Sequence, residues 1–534
     1  MEKEGYSFAF KAGVYAGFVA LAFSFFLRLG GIAPFAPETG IEAFISLAPA
    51  WITEPMVQSF GDTAGLLGLI IASIIALVVY GVFGVVYEKF YSRFIRKFSK
   101  ISYLEGFLSF SVVVFLFFGL IVFPLAGGGT FGLTTTLYAP YAVLVFPLAL
   151  LISQLLFGFV LMASFRRANP SKEALPVSPA RRAFIERAGI FGIAAVLGLT
   201  SLGVMVSSAI ATLGSSGRPG SSYNLSQAPQ IFDDPRLATL VNSEITANSA
   251  FYRVAIDLFD PNVNGNSWKL QVDGGNTSKS YSLQDLKNLA PLSQYSTFEC
   301  VSNLVNGNLI SNAKWTGVKI SDLLSDAGVT LANAVYVVFY SVDGYSVGLP
   351  VATAARSDSL LAYQMNDQDL PAAHGYPLRA VIPGLYGMMS AKWITRISVV
   401  DSSYTGYWQS RGWTQNATVN TLAFIIVPGD GSSFSKSQNN SILLGGYAFA
   451  GDRGISKVEL SFDQGNTWQE AVLKDPISNL TWRLWAYSWN PPARRNYTVY
   501  ARATDGQDQV QTVSEASNFP NGATGYAMIS INVT

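Results

Sequence analysis

The apolar positions of this chain fall into two unlike patterns. Before about residue 215 they form long runs, near 11–30, 64–87, 104–126, 137–165 and 187–213, each long enough for the ~20 residues that cross a bilayer. The pattern predicts five transmembrane helices. After about residue 236 the runs shorten: WKLQVDGG, VYVVFY and YSVGLP alternate or stay apolar over strand lengths and break at Gly, Asn and Asp. That stretch reads as mixed α/β. From about residue 418, ILLGGYAFAGDRG, ISKVELSFDQGNTWQEAVL, WRLWAYSWNPP and YTVYARATDGQ follow as short strands between turns. Such spacing predicts an immunoglobulin-like β-sandwich. Residues 214–235, with SSGRPGSS and few apolar positions, read as a linker.

Charge orients the apolar half. Lys89, Arg93, Arg96, Lys97 and Lys100 follow the second run, and Arg166, Arg167, Lys172, Arg181 and Arg182 follow the fourth. Those loops belong in the cytoplasm. The connection from Gly31 to Thr63 carries Glu38, Glu42, Glu54 and Asp62 but no Lys or Arg, and residues 127–136 are uncharged, as translocated loops are. Five spans then place the C-terminal half outside the cytoplasmic membrane. PARRAFIERAGIFGIAAVLGLT, ahead of the fifth run, resembles a twin-arginine export signal. Its arginines equally obey the positive-inside rule, and both readings stand. The runs contain no histidine, which excludes a bis-histidine haem, and are expected to hold no buried charge pair that would mark an ion path. They read as an anchor or a docking surface.

Composition removes several classes of function. Charged residues are 13% of the chain, about half the share usual in soluble domains, and net charge is +1 with no basic stripe, which sets nucleic acid aside. Asn-x-Ser/Thr tripeptides at Asn224, Asn276, Asn416, Asn439, Asn479, Asn496 and Asn532 suit a glycosylated surface protein. Cys300 and His374 are each the sole residue of their type, so the chain alone builds no disulfide, zinc site or iron–sulfur cluster. A lone cysteine is ordinarily a small buried hydrophobe. Cys300, however, ends a strand-like run in TFECVSNLVNGNLISNAKWTGVKISDLLSDAGV and is followed by a polar loop, where a thiolate can reach a pocket edge.

Residues 297–325 together with LLAYQMNDQDLPAAHGYPLRAVIPGLYGMMSAKWITRISVVD at 360–401 and GYWQSRGW at 406–413 resemble the molybdopterin domain of the sulfite oxidase family. FYRVAIDLFDP and SWKLQVDG, within 251–274, open the match. The tail resembles the dimerisation domain that follows it in that family, with W-x-x-A at Trp468 to Ala471 and Y-x-x-x-A-R-A-x-D-G at Tyr497 to Gly506. The resemblance implies a molybdenum–molybdopterin cofactor whose metal takes the thiolate of Cys300, a soft ligand that suits it. It implies that His374 and Arg379 of HGYPLR hold the pterin phosphate and that Ser390 and Lys392 of SAKW, with Arg253 of FYRV, add contacts. Tyr363 of LLAYQMN matches a catalytic position near the metal. A homodimer is implied as well.

One departure bears on the substrate. The family's arginines close after the cysteine are missing from CVSNLVNGN, and no cation comes before Lys314. That favours a less charged substrate, or one whose charge is met from elsewhere, for instance by Arg411. The expected organisation is a membrane domain at 1–213, the linker at 214–235, a catalytic domain at 236–415 and a β-sandwich dimerisation domain at 416–534. The expected activity is two-electron oxygen-atom transfer on sulfite or another small sulfur or oxyanion substrate. Electrons pass to a separate carrier, a cytochrome, cupredoxin or quinone-linked subunit, because no haem-attachment motif occurs. The alternative is a non-catalytic, membrane-anchored binding protein that retains the fold; Cys300, His374, Arg379 and Lys392 together argue against it.

Overall fold

The computed structural model describes residues 2–29, 63–90, 103–122, 142–168, 229–256, 260–436 and 441–534, with isolated positions at 33, 35, 37, 38 and 124. The chain divides into two compact units, Met1–Ser215 with Ile256–Phe259, and Ser216–Ala255 with Asp260–Thr534.

In the first unit the apolar runs become α1 (Glu2–Leu29), α2 (Thr63–Phe90), α3 (Tyr103–Phe117) and α4 (Ala142–Ala168). Among the described residues, three stretches are long and apolar enough to cross a membrane: Tyr6–Arg28, Leu67–Lys89 and Val145–Phe165. The third predicted span is shorter, Leu108–Val122, because α3 loosens into a π turn over Phe118–Val122 and Pro124 follows, which cannot donate to a continuing helix. The fifth predicted span and the Arg181–Arg182 string lie outside the described residues.

Helix α2 is apolar nearly all round, and Ile71, Ile74, Ile75, Val78 and Val82 stay exposed, as a lipid-facing stripe does. Its other side meets α1 through residues with almost no side chain. A methyl group on Gly13 would stand 2.9 Å from Gly84 Cα and 3.0 Å from Gly81 Cα, so the backbones approach as helices do through small residues in lipid. Aromatic rings fill the remainder, Tyr80 against Phe157 at 4.7 Å and Tyr87 against Phe110 at 4.9 Å. The expectation of no buried charge pair needs correction. At the end of α1, Arg28 is buried and donates twice to Glu38, at 2.6 and 2.8 Å, which removes an otherwise costly pair of isolated charges. Glu38 reads from sequence as a loop charge; the pair sits at a helix end and marks no path across the bundle.

The second unit begins with ten strands. Those are β1 (Leu270–Gly274), β2 (Thr277–Tyr281), β3 (Leu292–Glu299), β4 (Ile310–Lys319), β5 (Tyr336–Ser341), β6 (Ser346–Pro350), β7 (Leu360–Met365), β8 (Gln368–Asp369), β9 (Arg379–Val381) and β10 (Ile394–Val400). They form one sheet ordered β2-β1-β10-β5-β6, in which β1 and β10 are parallel, and a second ordered β3-β4-β7-β8 with β9 paired to β7. Strand β3 is buried from Ser296 to Glu299 and delivers Cys300 at its end.

The tail supplies β11 (Leu422–Val427), β12 (Ser432–Phe434), β13 (Ile442–Phe449), β14 (Ile455–Ser461), β15 (Gln469–Glu470), β16 (Val472–Leu473), β17 (Arg483–Trp489), β18 (Asn496–Asp505) and β19 (Ala527–Val533). Two sheets, β11-β13-β17-β16 and β12-β19-β18-β14-β15, bury one core between them, with Leu444 and Trp485 from the first and Val458, Val499 and Ile531 from the second. This β-rich domain and the catalytic strands share one compact unit. Thr297 accepts from Trp482 N–H at 2.9 Å, Trp482 Nε1 donates to Glu244 O at 3.0 Å, and Lys474 pairs with Glu244 at 2.9 Å. Asn276, Asn416, Asn479 and Asn496 are exposed; Asn224 and Asn439 lie outside the described residues.

Substituting Gly84→Val forces overpacking at the α1–α2 contact, at a cost of about 1–3 kcal/mol. The expected result is a lower melting temperature of the detergent-solubilised protein, with the lipid-facing Val78→Ala as an unshifted control.

Candidate active site

The loop after β3 is closed tightly by its own backbone. Cys300 N–H donates to Leu309 O at 2.9 Å, and Asn303 N–H returns to Cys300 O at 2.9 Å. This turn brings Ser302 Oγ to 3.0 Å from Cys300 Sγ. Asn303 spans the loop, donating to Glu299 Oε1 at 3.0 Å and accepting from Leu309 N–H at 2.9 Å. Cys300 is 8% exposed and unpaired in any disulfide. Burial pushes its thiol up, and hydrogen bonds from Ser302 act in the opposite direction. Glu299, buried beside it, is pushed up to about 8 by desolvation, against the hydrogen bond from Asn303. It is therefore mostly neutral at pH 7 and puts little negative charge near the sulfur.

A second cluster, of cations, gathers around the turn at Ala372–His374. Arg379, first residue of β9, is 4% exposed, and its guanidinium lies 4.6 Å from the Phe298 ring and 4.8 Å from the Trp315 ring. Its nitrogens reach only backbone carbonyls, His374 O at 3.1 Å and Ala380 O at 3.4 Å, and it forms no ion pair among the described residues. Desolvation lowers it to about 10. Lys392 Nζ donates to Ala373 O at 3.2 Å and sits 4.1 Å over the Trp393 ring. Burial lowers Lys392 to about 7, with Asp260 opposing. Gly375, at φ +111°, allows the approach: a methyl group there would stand 3.0 Å from Arg379 Cβ and 3.1 Å from Lys392 Cβ. Trp393 also holds a left-handed φ of 51°, strain of the kind a functional turn retains. A buried and a half-buried cation that form no ion pair among the described residues, around a turn that only glycine fits, suit a phosphate group.

His374 is held by a backbone carbonyl. It is 5% exposed and its Nε2 lies 2.7 Å from Asn248 O, so Nε2 carries the proton and Nδ1 is left as an acceptor. Desolvation lowers it to about 4, keeping the ring neutral at pH 7. The positive charge beside the turn thus comes from Arg379 and Lys392. Ser390, buried, accepts from Ile382 N–H at 3.2 Å and fixes the strand next to them. Arg253 stands near Lys392 but pairs with Asp260 at 2.8 Å.

Tyr363 is not brought to Cys300. The β4–β7 ladder shifts register between Thr316 and Gly317, which leaves Tyr363 as the extra residue of a bulge. Leu360 and Ala362 join the Phe298–Trp315 core, whereas the Tyr363 ring takes Lys287 at 5.8 Å. The tyrosines that feel the charge of Cys300 are Tyr252, Tyr345 and Tyr386, all raised chiefly by burial. Tyr252 also feels Arg379, which links the sulfur end to the cation end. Sequence reasoning missed all three, although Tyr252 adjoins Arg253 in FYRV and Tyr386 lies inside PGLYGMM.

An unpaired buried guanidinium destabilises the chain unless an anion meets it. The expected outcome for Arg379→Met, close in volume and uncharged, is a higher melting temperature than the parent in protein freed of anionic ligands. For Lys392, whose folded pKa lies below its ordinary value, the unfolded chain binds the extra proton between about pH 7 and 10. Stability of ligand-free protein should therefore rise with pH across that window, and Lys392→Met should flatten the rise in chemical denaturation.

The description "Oxidoreductase molybdopterin binding domain" matches residues 258–408, and "Mo-co oxidoreductase dimerisation domain" matches residues 412–519. Mitochondrial sulfite oxidase of Rattus norvegicus is 30% identical over 326 residues, covering 52% of this chain and 59% of that one. The chain thus spans somewhat more than half the length of such relatives. The oxidoreductase YuiH of Bacillus subtilis is 33% identical over 147 residues, 27% of this chain and 72% of its own. The solved sulfane dehydrogenase SoxCD of Paracoccus pantotrophus aligns with a TM-score of 0.48 at 18% identity, covering 60% of this chain and 89% of that one. With two successive parts of the second unit matched in order, the chain belongs to the sulfite oxidase family of molybdopterin-dependent oxidoreductases.

Proposed function

We propose that this chain is a multi-pass protein of the cytoplasmic membrane whose C-terminal half, on the extracytoplasmic side, oxidises sulfite or another small sulfur or oxyanion substrate. The observation that carries the reading is the pairing of a buried thiol, Cys300, with two cations, Arg379 and Lys392, that donate to backbone carbonyls and form no direct ion pair among the described residues. A molybdenum–molybdopterin group needs both, a soft ligand for the metal and a cationic seat for the phosphate. When bound, the group supplies the two-electron reservoir for oxygen-atom transfer. The net reaction takes one water oxygen into the product and releases two protons and two electrons. The electrons leave singly to a separate cytochrome, cupredoxin or quinone-linked partner.

The chain's own residues bind and orient. Cys300 provides the thiolate, and Arg379 and Lys392 hold the phosphate. His374, anchored on Asn248, and Ser390 shape the turn between them. Arg253, matched by Asp260, closes the same side as a positioned ion pair. Tyr252 and Tyr345 take the place expected of Tyr363, since they stand in the field of Cys300. Arg411 is the cation best supported for meeting an oxyanion. Its guanidinium lies 3.5 Å over the Tyr407 ring, and Tyr407 lies 5.7 Å from Tyr345. The same reading includes the fifth span, immunoglobulin-like connectivity of the sandwich, and a homodimer formed through it.

Metal analysis and electron paramagnetic resonance of the purified full-length protein test the reading. Near-stoichiometric molybdenum with a Mo(V) signal raised by sulfite supports it; molybdenum that sulfite leaves untouched redirects it to another substrate, and molybdenum-free mature protein overturns it. Cys300→Ser should abolish turnover. Arg379→Met should reduce cofactor content at least tenfold, since losing a buried charge contact costs about 2–5 kcal/mol. Arg411→Ala is expected to raise the KM for sulfite roughly tenfold, a loss of about 1.4 kcal/mol, with a smaller change in kcat.

A further inference from the structure

The loop 301–309 has no cation, yet it is not a passive cover. Ser302 turns back onto the residue two before it, with Oγ 3.0 Å from Cys300 Sγ. A thiolate has no proton to give, so once Cys300 is deprotonated the Ser302 hydroxyl must be the donor. Ser302 is itself held from the β-rich tail. Asn518, fully buried, donates from Nδ2 to Ser302 O at 2.7 Å. Asn518 in turn accepts from Ser517 Oγ at 3.0 Å and from Gly522 N–H at 2.6 Å. Further along the loop, Asn306 accepts from Ile425 N–H at 2.9 Å and donates to Met528 O at 3.1 Å. The tail therefore fixes both the carbonyl of Ser302 and the far side of its loop.

We propose that Ser302, clamped by Asn518, is a positioning residue that tunes the metal through a hydrogen bond to the Cys300 sulfur. Hydrogen bonds to a ligating sulfur draw charge from it and weaken its donation to the metal, which raises the reduction potential. Where a cation after the cysteine would also attract an anionic substrate, a hydroxyl aimed at the sulfur adjusts the metal without adding charge to the pocket. The inference rests on Cys300 as the metal ligand.

The test is a redox titration of the full-length holoprotein, followed by the Mo(V) resonance, with molybdenum content measured separately. In Ser302→Ala the midpoint potential should fall and the resonance should shift at unchanged molybdenum content, whereas Ser302→Thr, which keeps the hydroxyl, should return both toward the parent values. Asn518→Ala should move the potential in the same direction as Ser302→Ala. An unchanged potential and signal in molybdenum-replete Ser302→Ala, or Thr no better than Ala on either measure, overturns the proposal. A parent protein without molybdenum removes Cys300 as ligand and the proposal with it.

Discussion

The candidate site in the second unit is organised around one guanidinium. Arg379 is inside the fold, beside the stacked pair of Phe298 and Trp315, and the described residues offer it carbonyls and aromatic rings but no carboxylate. Ring faces and carbonyl dipoles reduce the cost of desolvating a cation without cancelling its charge. The fold thus holds a localised positive potential in a place water reaches poorly, where an anion gains most from meeting it. The surrounding features serve that point: the glycine at 375, the left-handed Trp393, and the second cation at Lys392.

The sulfur end is joined to the cation end by short covalent and aromatic distances. Phe298 lies two residues before Cys300 on the same run of chain, so the ring that stacks on Arg379 also sets where the thiol emerges. Tyr252 feels both charges from a third direction. The strand that leads to the thiol therefore also carries the ring against which the Arg379 guanidinium rests. Rigidity at either end then passes to the other through β3, which is hydrogen-bonded to β4 along its whole length.

Much of this was legible in the sequence, and the failures have physical causes. Cys300, Arg379 and Lys392 sit in continuous phrases whose order survives folding, and the second cluster assembles within one stretch from His374 to Trp393. Run length alone gave the long helices, because spanning a bilayer imposes a length that few other structures require. The π turn in α3 leaves no comparable mark. Tyr363 comes from a matched phrase, and a phrase does not show that the β4–β7 ladder bulges at that residue. The tautomer of His374 depends on Asn248, 126 residues away, and the clamp on Ser302 depends on Asn518, 216 residues away; neither contact has a local signature. Glu38 looked like loop charge because only the fold brings Arg28 to it.

The long-range clamp also orders events in time. A loop held by Asn518 and Met528 has its final shape only after those residues have left the ribosome and the last strands of the sandwich have paired. Until then the cysteine turn lacks its outer support, and the strand that aims the thiol is buttressed on one side only. The cysteine turn is therefore complete only in the finished chain, since its support comes from the last residues to be made.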